Sequence, residues 1–194
     1  MRWQRKAYEG HPVETARSMI GAFLVHETAE GTVKLRITET EAYGGTYKGH
    51  EDDGAHSFKG LTSRTKVIFG ESGHAYVYLI YGMYCCLNIV CEPPGTAGCV
   101  LIRAGEPVEG MELIQKRRGN AKGTALSAGP GRLCLAMGID RGLYGADLVT
   151  GPLYVEDGEP AVIDVSKRKN IDYAAWGKEF PWRFTLHGSR WVTK

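Results

Sequence analysis

Residues 32–43 follow a period of two, with hydrophobic and polar side chains alternating up to Ile37, which is the pattern of a strand with one buried face. Val33, Leu35 and Ile37 share one face of this predicted strand, and polar side chains occupy the other. Three further runs are rich in β-forming residues and are bounded by glycine or proline, so they also predict strands. These runs are 74–82, 84–91 and 99–104, with shorter candidates at 152–155, 161–165 and 183–187.

Helical spacing appears on both sides of this strand-rich region. In 12–24 the apolar residues recur on one helical face, and Pro12 suits the first turn of a helix. The segments 107–118 and 130–138 also begin with proline and carry helical spacing, and Gly138 is placed to end the second. Helices thus precede and follow the strands rather than alternating with them. This order predicts an α+β fold around a mainly antiparallel sheet.

The length and composition fit one globular domain. The chain has 194 residues, of which 43% are hydrophobic and 24% charged, and no linker or repeat divides it. We therefore expect a single domain over 1–194. No apolar run approaches the ~18 residues that a membrane span needs. The charged N-terminus has no apolar signal segment, which predicts a soluble protein that stays inside the cell.

The cysteines and histidines do not predict a metal site. The five cysteines form no C-x-x-C pair, and no histidine pair has the spacing of zinc ligands beside them. Reduced thiols packed in the core are the expected state. We predict that the protein binds no metal and uses no cofactor.

Charge is distributed unevenly although the net charge is only +2. Residues 27–57 carry seven acidic and three basic side chains, whereas 165–194 carry two acidic and seven basic ones. The basic region is compatible with a surface that faces phosphates, or with ordinary solvated patches of opposite sign.

Two groups of residues combine a structural pattern with possible chemistry. Continued alternation places Glu39, Glu41 and Tyr43 on the inward face of the first strand, where a carboxylate must be paired or used. The alternative is that the strand has left the core by residue 39. Six of the ten tyrosines lie between residues 43 and 84. They are either packing residues or a stacking platform for planar rings such as nucleobases, and Tyr81 is predicted at a strand tip beside Gly82.

Six ordered motifs resemble those of the alkyladenine (3-methyladenine) DNA glycosylases and cover roughly 8–193. The motifs are ETEAY (39–43), AHS (55–57), YVYLIYGMYCCLN (76–88), VLIRAGEPVEG (100–110), GPGRLC (129–134) and RFTLHGSRWV (183–192). The resemblance implies a curved sheet similar to the carboxy-terminal domain of methionyl-tRNA formyltransferase. It also implies a monomeric, monofunctional enzyme that flips damaged purines out of duplex DNA and hydrolyses their N-glycosidic bonds, without lyase activity.

The resemblance assigns roles to individual residues. Glu41 corresponds to the general base that activates water, and Arg103 to the residue that helps to hold this water. Tyr43, His56 and Tyr78 correspond to the residues that line the base pocket. Tyr81 corresponds to the side chain that fills the gap in the duplex, and Asn88 to the residue that excludes guanine.

The chain departs from the family pattern at two places. Lys169 stands where the family usually has an aliphatic residue, which supplies a backbone contact near the catalytic water and apolar packing against the base. The segment 44–55 also looks longer than in mammalian relatives. The backbone role can survive the lysine, but the packing role and the lesion range are open.

Two other classes of function compete with this interpretation. One is a non-catalytic nucleic-acid-binding module of the same fold, which would need neither Glu41 nor Arg103. The other is a metal-dependent nuclease, for which only Glu51, Asp52 and Asp53 offer clustered carboxylates. We expect those three residues to lie on a solvated loop.

Overall fold

Ten strands and four α-helices form the protein, and the computed structural model describes residues 1–194. The strands are β1 (Phe23–Thr28), β2 (Gly31–Tyr43), β3 (Thr46–Tyr47), β4 (His50–Glu51), β5 (Ala75–Ile80), β6 (Tyr84–Val90), β7 (Cys99–Glu109), β8 (Leu153–Glu156), β9 (Ile163–Ser166) and β10 (Arg183–Leu186). The helices are α1 (Arg5–Tyr8), α2 (Pro12–Ser18), α3 (Met111–Arg118) and α4 (Pro130–Met137). The longest have eight residues, and no helix of this protein could span a membrane.

Eight of the strands form one antiparallel sheet. Its main path has the order β5-β6-β7-β2-β1-β8, while β10 pairs with β2 and with β9. The strands β3 and β4 form a separate hairpin. A large hydrophobic core draws side chains from both ends of the chain, from Trp3 to Trp191. The prediction of an α+β fold with a mainly antiparallel sheet is confirmed.

Strand β2 is the centre of the sheet and carries the residues of interest. Its first half pairs with β1, its second half pairs with β10, and β7 runs along almost its whole length. The pairing between β2 and β7 is irregular at Glu39. Before and after this residue the register is the same, because Ile37 lies opposite Gly105 and Thr40 lies opposite Ile102. The carbonyl of Arg103, at this irregularity, accepts a hydrogen bond from the Gly129 N–H group.

The predicted helix over 12–24 is wrong in its second half. Helix α2 ends at Ser18, and the apolar residues Phe23 and Leu24 belong to β1. Gly21 has a φ of +88°, a conformation that ends a helix readily because glycine has no Cβ. Gly21 and Ala22 then exchange backbone hydrogen bonds with Ile37 of β2, so sheet pairing overrides the helical spacing.

The second predicted helix begins too early. Residues 107–109 continue β7, with Pro107 opposite Leu35, and α3 begins only at Met111 after Gly110. The third helix was predicted correctly, because α4 starts at Pro130 and ends before Gly138, which has a φ of +70°. All of the predicted strands are present. Three strands were not predicted: β1, which the helical spacing concealed, and the two-residue strands β3 and β4.

Candidate active site

A cavity of about 240 Å³ opens on one side of the sheet. Its walls come from β2, β5, β6 and β7, from the 3₁₀ helix His56–Lys59, and from the segment after β9. The lining includes Tyr43, His56, Arg64, Tyr76, Tyr78, Tyr81, Asn88, Leu101, Arg103 and Lys169. The structure therefore brings the predicted site residues around one cavity, with Glu41 directly behind its wall.

Glu41 is fully buried, which excludes the alternative that β2 has left the core by residue 39. Its Oε1 accepts a hydrogen bond from the Lys169 backbone N–H at 2.8 Å. Its Oε2 accepts one from the Tyr43 hydroxyl at 2.8 Å and one from Arg103 Nη1 at 3.2 Å. Three donors from three separate segments thus satisfy a carboxyl group that is shielded from solvent.

Arg103 is held between two carboxylates. Its Nε donates to Glu39 at 2.8 Å while its Nη1 reaches Glu41. Burial disfavours the charged guanidinium, but the charges of Glu41 and Glu39 outweigh this effect and raise the pKa of Arg103. Arg103 therefore remains a cation.

Glu39 is the anchor of this arrangement. It also accepts hydrogen bonds from Arg183 Nε at 2.7 Å and from the backbone N–H and hydroxyl of Thr193, both at 2.6 Å. Burial opposes ionisation of Glu39, but the hydrogen bond from Arg183 and the charge of Arg103 lower its pKa. The end of the chain is thereby tied to the residue that orients Arg103.

Aromatic side chains form one wall of the cavity. Tyr76 and Tyr78 lie on the same side of β5, as the alternation predicted, with ring centroids 5.3 Å apart. His56 packs edge-on against Tyr78 at 4.7 Å, and its Nδ1 is hydrogen-bonded to the Tyr76 hydroxyl at 2.9 Å. Burial and then the charge of Arg64 lower the pKa of His56 to about 4. His56 is therefore neutral near pH 7 and offers its edge as a polar group.

Tyr43 stands on a charged support that the sequence analysis missed. The guanidinium of Arg168 lies 4.5 Å from the centroid of the Tyr43 ring. Arg168 is itself buried and makes two short hydrogen bonds to the Asp52 carboxylate, of 2.7 and 2.6 Å. Cation–π contacts and bidentate arginine–carboxylate pairs both restrict orientation, so this pair positions the Tyr43 ring.

The expectation that Asp52 and Asp53 lie on a solvated loop is wrong. Asp52 is buried against Arg168, and Asp53 accepts hydrogen bonds from the backbone N–H groups of Ala175, Trp176 and Gly177. Only Glu51 is exposed. The two aspartates are used by partners more than 110 residues away in the chain, which no local pattern reveals.

Tyr81 projects from the turn between β5 and β6. It has a φ of +50°, Gly82 follows with +71°, and 81% of the Tyr81 surface is exposed. Because a positive φ is uncommon for residues other than glycine, the turn holds this side chain in a specific direction. The structure thus places Tyr81 at a strand tip, at the rim of the cavity.

Asn88 lies deeper in the cavity and is nearly fully buried. Its Nδ2 donates to the Tyr76 carbonyl at 3.2 Å, and the Cys99 thiol donates to its Oδ1 at 3.8 Å. These contacts fix the orientation of the amide.

Four of the five cysteines are buried and the fifth is half-buried.

Lys169 meets the cavity in two ways. Its backbone N–H binds Glu41, a contact that does not depend on the side chain, and its half-buried side chain lines the cavity.

Arg64 lies on the rim, 5.2 Å from the Tyr78 ring centroid, and was not predicted as a site residue. The only hint in the sequence was its position eight residues after His56. No group of three or more histidine, cysteine, aspartate or glutamate side chains is placed to hold a metal ion.

The antiparallel α+β fold thus presents a buried carboxylate behind an aromatic cavity, with a tyrosine projecting at its rim. The sequence model of the methylpurine-DNA glycosylase family matches residues 6–190. The chain belongs to this family.

Relatives with a similar sequence extend over the whole chain. A protein of Methanocella arvoryzae is 49% identical over 98% of this chain and 94% of its own length. Proteins of Desulfitobacterium hafniense and Alkaliphilus oremlandii are 42% and 41% identical, over 97% and 100% of each chain. All three carry the provisional name of 3-methyladenine DNA glycosylase.

Proposed function

We propose that this protein is a monofunctional DNA glycosylase of base excision repair. It binds duplex DNA as a monomer, flips a damaged purine into the cavity and hydrolyses the N-glycosidic bond with a water molecule that Glu41 activates. The proposed lesions are 3-methyladenine, 7-methylguanine, hypoxanthine and 1,N6-ethenoadenine. The observation that carries this proposal is the buried carboxylate of Glu41, held by Arg103 and the Lys169 N–H group at the wall of an aromatic cavity.

Base flipping explains why the reaction needs a cavity of this kind. The sugar carbon and the base are shielded inside the stacked duplex, so the nucleotide must leave the stack before water can reach it. The rings of Tyr43 and Tyr78 provide apolar faces for the flipped purine, and neutral His56 provides a polar edge. Tyr81 is exposed at the rim and fills the space that the base vacates.

Hydrolysis follows from the position of the Glu41 carboxylate. As the C1′–N bond breaks, its electron pair leaves with the base and positive charge develops on the sugar. Glu41 accepts a proton from the attacking water, whose oxygen bonds to C1′, and its negative charge stabilises the cationic sugar. Arg103 orients the carboxylate and the water. Because the nucleophile is water rather than an amine, the product is an intact abasic site.

Direct release of free base tests the proposal. Duplex oligonucleotides that carry hypoxanthine, 1,N6-ethenoadenine, 7-methylguanine or 3-methyladenine are incubated with the protein, and the released base is measured. Release of at least one damaged base, with an abasic strand left uncut, is the expected result. Binding of these duplexes without any release would instead identify a non-catalytic binding module of the same fold.

Substitution of Tyr81 by alanine is expected to weaken excision more strongly in duplex DNA than in single strands. The ring can no longer replace the lost stacking, which costs a few kcal/mol per base step. Single-turnover rates on the same lesion in paired and single-stranded oligonucleotides measure the difference. Equal losses on both substrates would show that Tyr81 does not act as a wedge.

Asn88→Ser is expected to admit guanine to the cavity. The shorter side chain leaves room for the exocyclic amino group, and it also removes the hydrogen bond to the Tyr76 carbonyl. The measurement is slow release of normal guanine from a mismatched duplex. If discrimination against guanine is unchanged, the residue that excludes it lies elsewhere.

The pH profile is expected to differ between cationic and neutral lesions. For 7-methylguanine the base already carries a positive charge, so the reaction needs a general base but no acid, and the rate should rise with pH to a plateau. Hypoxanthine leaves more readily once protonated, so its rate should need an acid as well as a base and show a bell-shaped maximum.

His56 is not the acid that this maximum requires. Its pKa is lowered from 6.5 to about 4, so it is already neutral above about pH 5. Single-turnover profiles of both lesions, with the chemical step limiting, test the prediction. Superimposable profiles would remove leaving-group protonation from the mechanism.

A further inference from the structure

We propose that Arg64 and Lys169 make the cavity discriminate against cationic lesions, so that neutral purines such as hypoxanthine and 1,N6-ethenoadenine are its favoured substrates. This inference rests on the proposed glycosylase function and names the substrate class within it. Both side chains line the cavity, and neither forms an ion pair.

The charge balance around the cavity is positive. No aspartate or glutamate belongs to the cavity lining. Behind the wall, Glu39 and Glu41 are matched by the two guanidinium groups that bind them, from buried Arg103 and partly buried Arg183. The buried Asp52 is matched by Arg168 in the same way. The charges of Arg64 and Lys169 are therefore the ones left without a counter-charge.

The two aromatic walls already have cations beside them. Arg168 lies 4.5 Å from the centroid of the Tyr43 ring, and Arg64 lies 5.2 Å from that of Tyr78. An aromatic face attracts a cation through its quadrupole, so a bare tyrosine pair would favour a positively charged base. Here each ring already interacts with an arginine, and the charge of Arg64, which has no counter-charge, repels a second cation beside Tyr78. Stacking of a neutral purine on the same rings carries no such penalty.

The same field acts on a neighbouring side chain. Burial, and then the charge of Arg64, lower the pKa of His56 and disfavour its protonated form. A flipped base near His56 experiences the same positive potential. A methylated purine with a full positive charge is therefore less stable in the cavity than a neutral purine of similar size.

The expected size of the effect follows from the position of the two cations. Arg64 is exposed on the rim and Lys169 is half-buried, so solvent screens both charges in part. With effective dielectric constants between those of protein and water, each charge should change the relative rate on cationic and neutral lesions by about three- to tenfold.

The test uses the ratio of single-turnover excision rates on 7-methylguanine and hypoxanthine in the same duplex sequence. Arg64→Gln and Lys169→Met each remove one charge, and Lys169→Met retains the backbone N–H that binds Glu41. Lys178→Met is the matched control, because Lys178 is an exposed cation outside the cavity lining. Thermal unfolding of each variant, followed by circular dichroism, verifies that it is folded.

The ratio is expected to rise about three- to tenfold in each single variant, more in the double variant, and not in Lys178→Met. An unchanged ratio in the folded double variant overturns the inference. An equal rise in Lys178→Met also overturns it, because the effect would then come from general attraction to DNA. If the unaltered protein releases no damaged base at all, the proposed function itself fails.

Discussion

Glu41→Gln is expected to abolish base excision while DNA binding remains largely intact. The amide has nearly the same shape as the carboxylate but cannot accept the proton of the attacking water, and it carries no charge to stabilise the cationic sugar. Loss of general-base assistance alone should reduce the single-turnover rate at least about a hundredfold. The measurement combines single-turnover excision of hypoxanthine with binding of the same duplex.

The control for this variant is Glu109→Gln, an exposed glutamate in the same sheet. Its excision rate should equal that of the unaltered protein. Glu41→Gln turns an NH₂ group toward donors, but the Tyr43 hydroxyl can accept a hydrogen bond from it and Arg103 keeps Glu39 as a counter-charge at 2.8 Å, so the variant should fold with reduced stability. If the folded Glu41→Gln protein excises hypoxanthine at a comparable rate, Glu41 is not the general base.

Asp52→Asn is expected to destabilise the whole protein strongly. Both carboxylate oxygens of Asp52 accept hydrogen bonds only from N–H donors, namely Arg168 and the backbone of Gly44 and Gly54. An asparagine would turn its own NH₂ group toward donors and would leave the buried guanidinium without a counter-charge. Breaking a buried ion pair by removing one partner typically costs about 3–5 kcal/mol.

Chemical denaturation at pH 7 measures this loss as a decrease in the free energy of unfolding. For a domain of this size, a loss of about 3–5 kcal/mol lowers the melting temperature by roughly ten degrees. The control is Asp172→Asn. Asp172 is exposed and forms no ion pair, and it lies in the basic segment 165–194 that also contains Arg168, so this change should affect stability little. Equal stability of the two variants would mean that Asp52 is not a structural anchor.

This anchor connects stability to the proposed chemistry. Arg168 lies against the Tyr43 ring, and the next residue, Lys169, donates its backbone N–H to Glu41. A loosened Arg168 therefore releases one of the three donors that hold the carboxylate. For this reason we expect the residual folded Asp52→Asn protein to excise hypoxanthine more slowly than the Asp172→Asn control.

Local patterns in the sequence determined much of the sheet and of the candidate site. The alternation up to Ile37, extended to residue 43, identified β2 and placed Glu39, Glu41 and Tyr43 on the face of Val33, because side chains on a strand alternate between faces whatever the strand pairs with. In the structure 37–42 are buried on both faces. Gly82 beside Tyr81 likewise located the turn, since few other residues adopt a positive φ readily. The ordered motifs then indicated the family to which the chain belongs.

Only the tertiary structure decided where local preferences yield to distant partners. Phe23 and Leu24 have helical spacing but join β1, and Pro107 continues β7, because hydrogen bonds to a neighbouring strand outweigh weak local propensities. Asp52 and Arg168 form their pair across 116 positions, so neither residue carries a local mark of its role. The electrostatic balance of the cavity is a property of the same kind. The sequence contains all of its charges, but burial and distance determine which of them remain without a counter-charge, because the strength of an interaction between charges depends on both.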